Sequence, residues 1–397
     1  MKKNKTVLYL GQNGFPFGMA AVQRQLQISK AIAIDDTRVL VVNEKGIHSS
    51  NVIIREKIHA SGTFEGIDYF YASGTPLYPD HFITRNFLKF IGWFRELVTI
   101  LYHGLFKNLT CVVVCTSSLS KLKYFWCLTR ITNTRLVYDY VEYFSSLENR
   151  SIKTVDSGKT FDTEFYKYTD ALIIISTYLE QHVNRMKSKK PYIMVPPIID
   201  FEKFSIIDNK PKESDYFLYC GSTYYLDVVE FIMEAYRKTN SRDQGVSLFL
   251  IVNGSAEVRA KIQDSIKENT TIKLLSRLSY EDLIGYYKNA KALLIPLQDN
   301  LQDKARFPFK ISEYTAAGRP IITSDFGAVI DYFKDGETAL VAKTGDINDF
   351  SAKLSFVLEN PEKSEQIGRN GHELGLQHFN YKSYSTALTK LISGVHT

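Results

Sequence analysis

The sequence has few cysteines and no long apolar segment near its start. Its 397 residues include only four cysteines, and none of them forms a CxxC pair. A chain of this length needs no disulfide framework, so we expect free, buried thiols. The first apolar stretch, residues 7–10, is too short for the core of a signal peptide. We therefore expect a cytoplasmic protein.

Common cofactor and metal motifs are also missing. The eight histidines are dispersed, without an HExxH motif or a His and Cys pair at metal-binding spacing. We therefore expect no bound metal and no cofactor. Gly158-Lys159-Thr160 resembles the end of a phosphate-binding P-loop, but Lys153 stands where that loop needs its first glycine. This departure excludes a P-loop.

The charge of the chain is positive but not concentrated. The net charge is +6, and the lysines and arginines are scattered rather than gathered into one run. This pattern favours anionic ligands or an anionic membrane surface, and it gives no indication of nucleic-acid binding. The hydrophobic fraction of 44% is typical of a globular protein with sizeable cores.

Short β-branched runs alternate with longer helical stretches, which is typical of parallel sheets with crossover helices. The pattern restarts after Pro196-Pro197, and the polar stretch 198–214 is interpreted as a linker. The sequence predicts an α/β protein with two facing doubly wound, Rossmann-like domains, residues 1–198 and 199–397. The last helical stretch, 381–393, can pack on either domain. Strands are predicted at residues 6–10, 37–42, 111–115, 136–140, 171–175, 216–219, 247–252, 272–274, 292–295, 320–323 and 339–341.

Residues 85–109 form a long helical candidate with apolar side chains around much of its circumference. Gly92 interrupts it, and the charges of Lys89, Arg95 and Glu96 argue against a transmembrane span. Two interpretations stay open. The segment is either a helix that covers the first sheet or an amphipathic helix at a membrane surface.

The expected ligand site lies beyond the carboxyl ends of the strands, in the cleft between the two domains. After the first strand, a glycine loop at residues 11–18 precedes a helical run. Glycines let the backbone approach a ligand, so we expect Gly14, Phe17 and Gly18 to face a substrate or phosphate. The spacing is not GxGxxG, and a purely structural turn is the alternative.

The strongest segment is ARFPFKISEYTAAGRP, residues 305–320, between two predicted strands. A loop that enters a helix directs backbone amides at phosphates, and Arg306 and Lys310 add positive charge there. Glu313 is placed to accept hydrogen bonds from two ribose hydroxyls. The alternative is an ordinary helix with a surface glutamate.

Several motifs together resemble a known family, the retaining glycosyltransferases of family 4. That family has the two-domain GT-B fold. The ending P-x-K-x-x-E-Y, residues 308–314, is similar to members that build bacterial polysaccharides. Besides the two segments above, the resemblance rests on Tyr138-Asp139, IIIS at 173–176, PPIID at 196–200, YCGS at 219–222 and LSYEDLIGYYKNAKALLIPL at 278–297.

The resemblance implies a metal-independent hexosyltransferase that uses a nucleoside-diphosphate sugar. The acceptor would be a saccharide or a lipid-linked saccharide, with peripheral contact to the inner membrane face as a further expectation. Glu313 takes the position of the family's ribose-binding glutamate. The expected catalytic residues are Lys310 and Arg306, and the expected substrate-binding residues are Gly14, Phe17, Gly18, Tyr140, Glu142, Ser222, Thr223, Arg277, Phe309 and Glu313.

The donor side departs from the family pattern at two places. Ala305 stands where the signature E-x7-E has its first glutamate, and neither Asp299 nor Asp303 has the right spacing to replace it. The basic pair that binds the diphosphate is also missing, because Ser222 stands in the place of an arginine and Leu226-Asp227 stand where a lysine is expected. We therefore expect Arg306 and Lys310 to bind the phosphates.

The acceptor side departs once. Val141 stands where many members have a histidine, so we expect Tyr140 or Glu142 to face the acceptor, with a structural role of this strand end as the alternative. Two other functions stay open. One is a non-catalytic partner subunit with the GT-B fold, and the other is an enzyme similar to nucleotide-sugar 2-epimerases, for which we find no matching acid and base residues.

Overall fold

The computed structural model describes residues 5–147, 152–211, 213, 215–239, 245–276 and 278–394. The chain divides into two compact units. The first comprises Met1–Ile198 with Tyr381–Thr397, and the second is Ile199–Asn380. Each unit contains a sheet with helices packed on it. The predicted α/β fold with two Rossmann-like domains is confirmed.

The first unit is built on an eight-stranded sheet. Its strands are β1 (Thr6–Leu10), β2 (Arg38–Asn43), β3 (Ser61–Phe64), β4 (Ile67–Tyr71), β5 (Leu109–Val114), β6 (Arg135–Tyr140), β7 (Ala171–Ile174) and β8 (Tyr192–Met194). They lie in the order β3-β4-β2-β1-β5-β6-β7-β8, and all neighbours are parallel except β3 and β4. Its first six helices are α1 (Ala20–Ala33), α2 (Ser50–Glu56), α3 (Phe82–Phe106), α4 (Leu119–Ile131), α5 (Ile152–Glu164) and α6 (Thr177–Arg185).

The second unit has a six-stranded parallel sheet. Its strands are β9 (Tyr216–Ser222), β10 (Ser247–Asn253), β11 (Ile272–Leu275), β12 (Ala292–Ile295), β13 (Ile321–Ser324) and β14 (Leu340–Ala342). They lie in the order β11-β10-β9-β12-β13-β14. The helices are α7 (Phe201–Ile206), α8 (Leu226–Lys238), α9 (Ala256–Ser265), α10 (Tyr280–Asn289), α11 (Leu301–Ala305), α12 (Lys310–Ala317), α13 (Ile347–Glu359) and α14 (Pro361–His378).

All eleven predicted strands are present, but three further strands were not predicted. β3 and β8 are short strands at the two edges of the first sheet, and β4 alternates buried with partly exposed residues, so none of them is a continuous buried apolar run. The interpretation of residues 198–214 as a linker was wrong. This stretch contains α7, which buries Phe201 and Phe204 and packs on α12 of the second unit.

The last described segment returns to the first unit. After a short 3₁₀ turn that starts at Tyr381, α15 (Ser385–Ser393) packs against α1, β5, β6 and β8. Leu388, Leu391 and Ile392 are buried in the same core as the strands of that unit. The sequence left open on which domain this helix packs, and in the structure it packs on the first unit.

A buried ion pair joins α1 to the end of β6. The Arg24 guanidinium donates to both carboxylate oxygens of Asp139 at 2.9–3.1 Å, and only 4% and 1% of the two side chains are exposed. Arg24 Nη1 also donates to the carbonyls of Val195 and Pro196 at 3.0 and 3.1 Å, and Tyr9 Oη donates to Asp139 at 2.6 Å. Buried charges need such partners, so this network fixes α1 against the sheet.

Replacing one member of this pair should be costly. We expect Asp139→Ala to lower the free energy of unfolding by about 3–5 kcal/mol, because the guanidinium is left buried without its counter-charge. Asp68→Ala is the matched control, since Asp68 pairs with Arg38 at the surface and should cost less than about 1 kcal/mol. Urea unfolding measures both values, and equal losses would contradict this role of Asp139.

Candidate functional site

The carboxyl ends of the parallel strands of the second unit lie at one edge of its sheet. β9 and β12 are neighbours, but β10 and β11 continue the sheet on one side of them, and β13 and β14 on the other. Ligands of doubly wound proteins bind at such a switch point. The segment predicted from the sequence follows β12 and therefore leaves the sheet at this point.

The helix α12 begins directly beyond this edge. It starts at Lys310, with Phe309 in the preceding N-cap position and without a side-chain cap. Gly318 ends it at φ 71°, a left-handed conformation that suits glycine. The amides of Ile311 and Ser312 donate to the carbonyls of Pro308 and Phe309 at 3.1 and 3.2 Å, so they are already paired. The positive end of the helix dipole still makes the α12 N-terminus suited to a phosphate.

Glu313 lies in the first turn of α12, and only 2% of it is exposed. Oε1 accepts a long hydrogen bond from Tyr280 Oη at 3.3 Å, and Oε2 accepts from Tyr287 Oη at 3.4 Å and from Lys310 Nζ at 2.5 Å. The burial excludes the alternative of a surface glutamate. Since each carboxylate oxygen accepts about two hydrogen bonds, Oε2 is filled and Oε1 has room for one more donor.

Lys310 links Glu313 to the end of β9. Its side chain is 28% exposed, and Nζ also donates to Tyr287 Oη at 2.9 Å. Burial by itself lowers the pKa of Lys310, but the neighbouring Cys220 and Glu313 raise it above its ordinary value. Burial also raises the pKa of the Cys220 thiol. At neutral pH the site therefore holds a lysine cation and a neutral thiol.

Arg306 lies in the loop between α11 and α12. Its guanidinium forms an ion pair with Asp303 at 2.5 Å, stacks 4.4 Å from the centre of the Tyr225 ring and donates to the Tyr225 hydroxyl. Asp303 also accepts from the backbone amide of Gln298 at 2.8 Å and is buried. Asp303 therefore holds this loop, which argues against it as a substitute for the family's missing glutamate.

The other residues predicted to bind the donor lie in different kinds of positions. The Ser222 hydroxyl accepts from the amide of Tyr224 at 3.3 Å, and the Thr223 hydroxyl accepts from the amide of Ser255 at 2.9 Å. Both hydroxyls thus stabilise turns at the edge of the sheet, and their contact with a substrate stays a prediction. The same holds for Phe309, which is partly exposed. Arg277 lies outside the described residues.

The glycine loop of the first unit follows β1, which forms the switch point of its own sheet with β5. The Gly14 amide donates to Asn43 Oδ1 at 2.9 Å, and the Gly14 carbonyl contacts His48 Nε2 at 3.1 Å. Phe17 packs against Phe64, whereas Gly18 is exposed. The loop is therefore fixed by its own unit, and its contact with a ligand stays a prediction.

One acceptor-side prediction needs correction. Tyr140 is fully buried, its hydroxyl donates to Asp162 at 3.4 Å, and its ring packs 4.4 Å from that of Phe165. The end of β6 therefore belongs to the core, which argues against Tyr140 as an acceptor-binding residue. Glu142, two residues further, is partly exposed and remains the candidate there.

Sequence reasoning missed the partners of the charged residues. Tyr280 and Tyr287 are seven residues apart on α10, so two helical turns place them on the same face, toward Glu313. That spacing was a usable signal within the 278–297 motif. Asp303 is three residues before Arg306, so its spacing was also a usable signal. The other partner of Arg306, Tyr225, carried no comparable signal, because it belongs to a distant segment.

The sequence of the second unit matches a known protein family. Residues 200–374 match the family of glycosyl transferases group 1, and this range covers nearly all of the second unit. The second unit is thus similar in sequence to glycosyl transferases group 1. Over 187 residues the chain is 26% identical to the capsular polysaccharide biosynthesis glycosyltransferase CapM of Staphylococcus aureus. The aligned region covers 44% of this chain and 47% of CapM. The chain spans about half the length of the curated relatives that it matches.

Solved structures with the same fold extend over both units. Sucrose-phosphate synthase from Thermosynechococcus elongatus has a TM-score of 0.74 at 16% identity, with 99% of each chain covered. Anabaena HepE in complex with UDP-glucose has a TM-score of 0.70 at 11% identity, with 98% of this chain and 100% of HepE covered. The chain thus has the GT-B fold.

Loss of the Lys310–Glu313 pair should lower the stability of the second unit. We expect Lys310→Met to lower the free energy of unfolding by about 1–3 kcal/mol, less than for a fully buried pair because Lys310 is partly exposed. Lys304→Met, at an exposed position on α11, should stay within about 0.5 kcal/mol of the unchanged protein. Denaturant unfolding of both variants checks this, and an unchanged midpoint for Lys310→Met would contradict the pairing.

Proposed function

We propose that the protein is a retaining glycosyltransferase that moves a hexosyl group from a nucleoside-diphosphate sugar to a saccharide or lipid-linked saccharide. We propose that it acts in the cytoplasm, in the synthesis of a cell-surface polysaccharide. The observation that carries the proposal is the buried Glu313 with its tyrosine and lysine partners, beside the N-terminus of α12. The printed name of CapM and the UDP-glucose bound to HepE give further support.

Glu313 would recognise the ribose of the donor. Its Oε1 has room for one hydroxyl, whereas Oε2 already accepts from Lys310 and Tyr287. Binding of a second hydroxyl therefore requires one of these donors to leave. Lys310 is the partner with another task in the reaction, because its flexible ammonium group can turn toward the diphosphate. Donor binding would thus move Lys310 from the carboxylate to the phosphates.

The main chemical task would be to stabilise the charge of the departing nucleoside diphosphate. Lys310, Arg306 and the positive end of the α12 dipole are the groups for this task. In the proposed reaction the bond between the sugar and the diphosphate breaks, the acceptor hydroxyl oxygen forms a bond to the same face of the sugar, and its proton passes to the departing diphosphate. No side chain forms a bond to the sugar in this scheme, which is consistent with Ala305 in place of a carboxylate.

This division of labour predicts different defects for two variants. Lys310→Ala should lower kcat by about 100-fold or more and weaken binding of the donor sugar nucleotide less, by up to about 10-fold, since the charge on the departing diphosphate grows in the transition state. Glu313→Ala should weaken nucleotide binding by about 10-fold to 100-fold, the value of one or two hydrogen bonds to a carboxylate. Calorimetric binding and single-turnover transfer measure the two effects, with Lys304→Ala as the control. Unchanged turnover of Lys310→Ala would overturn its role.

A second prediction concerns metal ions. In the described parts of the chain no group of three or more His, Cys, Asp or Glu side chains is placed to hold a metal ion. Because cationic side chains are proposed to neutralise the diphosphate, we expect the transfer rate to be unchanged after dialysis against EDTA. A loss of activity that Mg²⁺ or Mn²⁺ restores would contradict this proposal.

A nucleotide-binding screen followed by a turnover assay separates the proposed transferase from a non-catalytic subunit. UDP, GDP and ADP should be compared by thermal shift, where a ligand at 100 times its Kd adds about 2.7 kcal/mol of stability. The absence of the first glutamate and of the usual phosphate-binding arginine favours a second candidate, a non-catalytic subunit that binds the nucleotide. Binding of one nucleotide with no turnover of its sugar would support that candidate.

A further inference from the structure

The helix α3 turns its apolar side to the solvent. Seven large side chains follow one another at intervals of three or four residues, and each is 46–82% exposed. We name them the apolar stripe. Its members are Ile83, Phe87, Phe90, Phe94, Val98, Tyr102 and Leu105.

The opposite side of α3 is the side that packs on its own unit. The buried residues of this helix are Gly92, Glu96 and Ile100. A Cβ atom at Gly92 would lie 2.0 Å from the Glu44 carbonyl oxygen, so the helix approaches the backbone there. Glu96 is fully buried, 3.8 Å from Lys121 Nζ. A helix that only covers a sheet places its apolar side inward, whereas α3 has a carboxylate inward and aromatic rings outward.

The exposed charges of α3 have one sign. Arg85, Lys89 and Arg95 are its basic residues, and the single acidic residue, Glu96, is buried. On a helical projection Arg95 lies at one border of the apolar stripe, whereas Arg85 and Lys89 lie on the other side of the helix, next to the cavity described below. Aromatic and aliphatic side chains with basic residues at their borders are typical of helices that lie in the headgroup region of an anionic membrane.

A cavity at the beginning of α3 adds to this basic surface. Its volume is ≈ 190 Å³, and its lining includes Lys45, Arg85, Lys89, Ser73 and Tyr78, with no carboxylate among the lining residues. Arg85 donates to the Tyr78 hydroxyl at 3.0 Å, which holds the guanidinium at the cavity. Three cations around one small cavity are suited to a phosphate group.

We propose that α3 is an interfacial membrane anchor. The apolar stripe enters the headgroup region of an anionic bilayer, while Arg95 at its border and the cations around the cavity at the start of α3 bind lipid phosphates. No helix in the described ranges is long and apolar enough to cross a membrane, so α3 lies in the surface. This inference does not depend on the proposed transfer reaction.

A second copy of the chain fits this surface less well. In a symmetric dimer the same patch faces itself, so Arg95 of one copy would lie near Arg95 of the other. Like charges at an interface are unfavourable, whereas lipid phosphates neutralise them. The charge of the patch therefore favours an anionic lipid surface as its occupant.

Co-sedimentation with lipid vesicles tests the anchor. The full chain should bind vesicles of phosphatidylcholine with about one third phosphatidylglycerol, and pure phosphatidylcholine vesicles at least about 10-fold more weakly. The triple variant Phe87→Ser, Phe94→Ser, Val98→Ser should lose more than about 10-fold in binding to the anionic vesicles. Ile206→Ser and Ile330→Ser remove exposed apolar side chains elsewhere and should leave binding unchanged. Unchanged thermal unfolding of all variants shows that they fold.

The basic residues are tested separately. Lys89→Gln with Arg95→Gln should weaken binding to anionic vesicles by about 25-fold, roughly 5-fold for each charge removed. Lys334→Gln, which removes a lysine that is 76% exposed in the second unit, is the matched control. Equal binding of the unchanged chain to neutral and anionic vesicles would overturn the role of these charges.

Tryptophan fluorescence shows whether α3 itself enters the lipid. The chain has two tryptophans, Trp93 on α3 and Trp126 on α4, so Trp126→Phe leaves a single reporter on the proposed anchor. Its emission should shift to shorter wavelength with anionic vesicles and be quenched by brominated lipid. No shift with bound vesicles would overturn the proposal. A lipid-free dimer that the triple variant converts to a monomer would assign the stripe to a second copy instead.

Discussion

Parallel pairing of strands places the chemistry of this protein. In a parallel sheet the carboxyl ends of all strands lie at one edge. Where two neighbouring strands are followed by strands on opposite sides of the sheet, the loops after them diverge and leave a crevice for a ligand. Both units contain such a point, between β1 and β5 in the first and between β9 and β12 in the second. The glycine loop leaves the first point, and the segment with Arg306 and Lys310 leaves the second. The glycine loop and the segment with Arg306 and Lys310 therefore both leave their own sheets at a switch point.

Two buried ion pairs show how a structural pair differs from a candidate binding pair. The Arg24–Asp139 pair is closed, because tyrosine and backbone partners satisfy its remaining atoms and almost none of it is exposed. The Lys310–Glu313 pair is open, with a carboxylate oxygen that can accept another hydrogen bond and a lysine that is 28% exposed. An incompletely satisfied charge beside a helix N-terminus is stable only with solvent or ligand nearby. For this reason we assign binding to the second pair and architecture to the first.

The sequence predicts the apolar strands well because a buried parallel strand is a continuous apolar run. It predicts Glu313 and Lys310 because one short motif contains both. It fails where partners are distant in the chain, as for Tyr280 and Tyr287 around Glu313, since side-chain contacts follow from packing rather than from local pattern. Tyr140 shows the opposite error, because a tyrosine at a strand end has the same local pattern whether it is buried or exposed. The direction of the apolar stripe on α3 is likewise a property of packing, which periodicity alone does not reveal.

The central claim is that a nucleoside diphosphate binds at α12 with its ribose on Glu313. A crystal structure of the chain with UDP, GDP or ADP, whichever binds, tests this most directly. The account predicts the diphosphate at the N-terminus of α12, a ribose hydroxyl within hydrogen-bond distance of Glu313 Oε1, and Lys310 Nζ turned from Glu313 to a phosphate oxygen. A nucleotide bound elsewhere, with the Lys310–Glu313 pair unchanged, would contradict it.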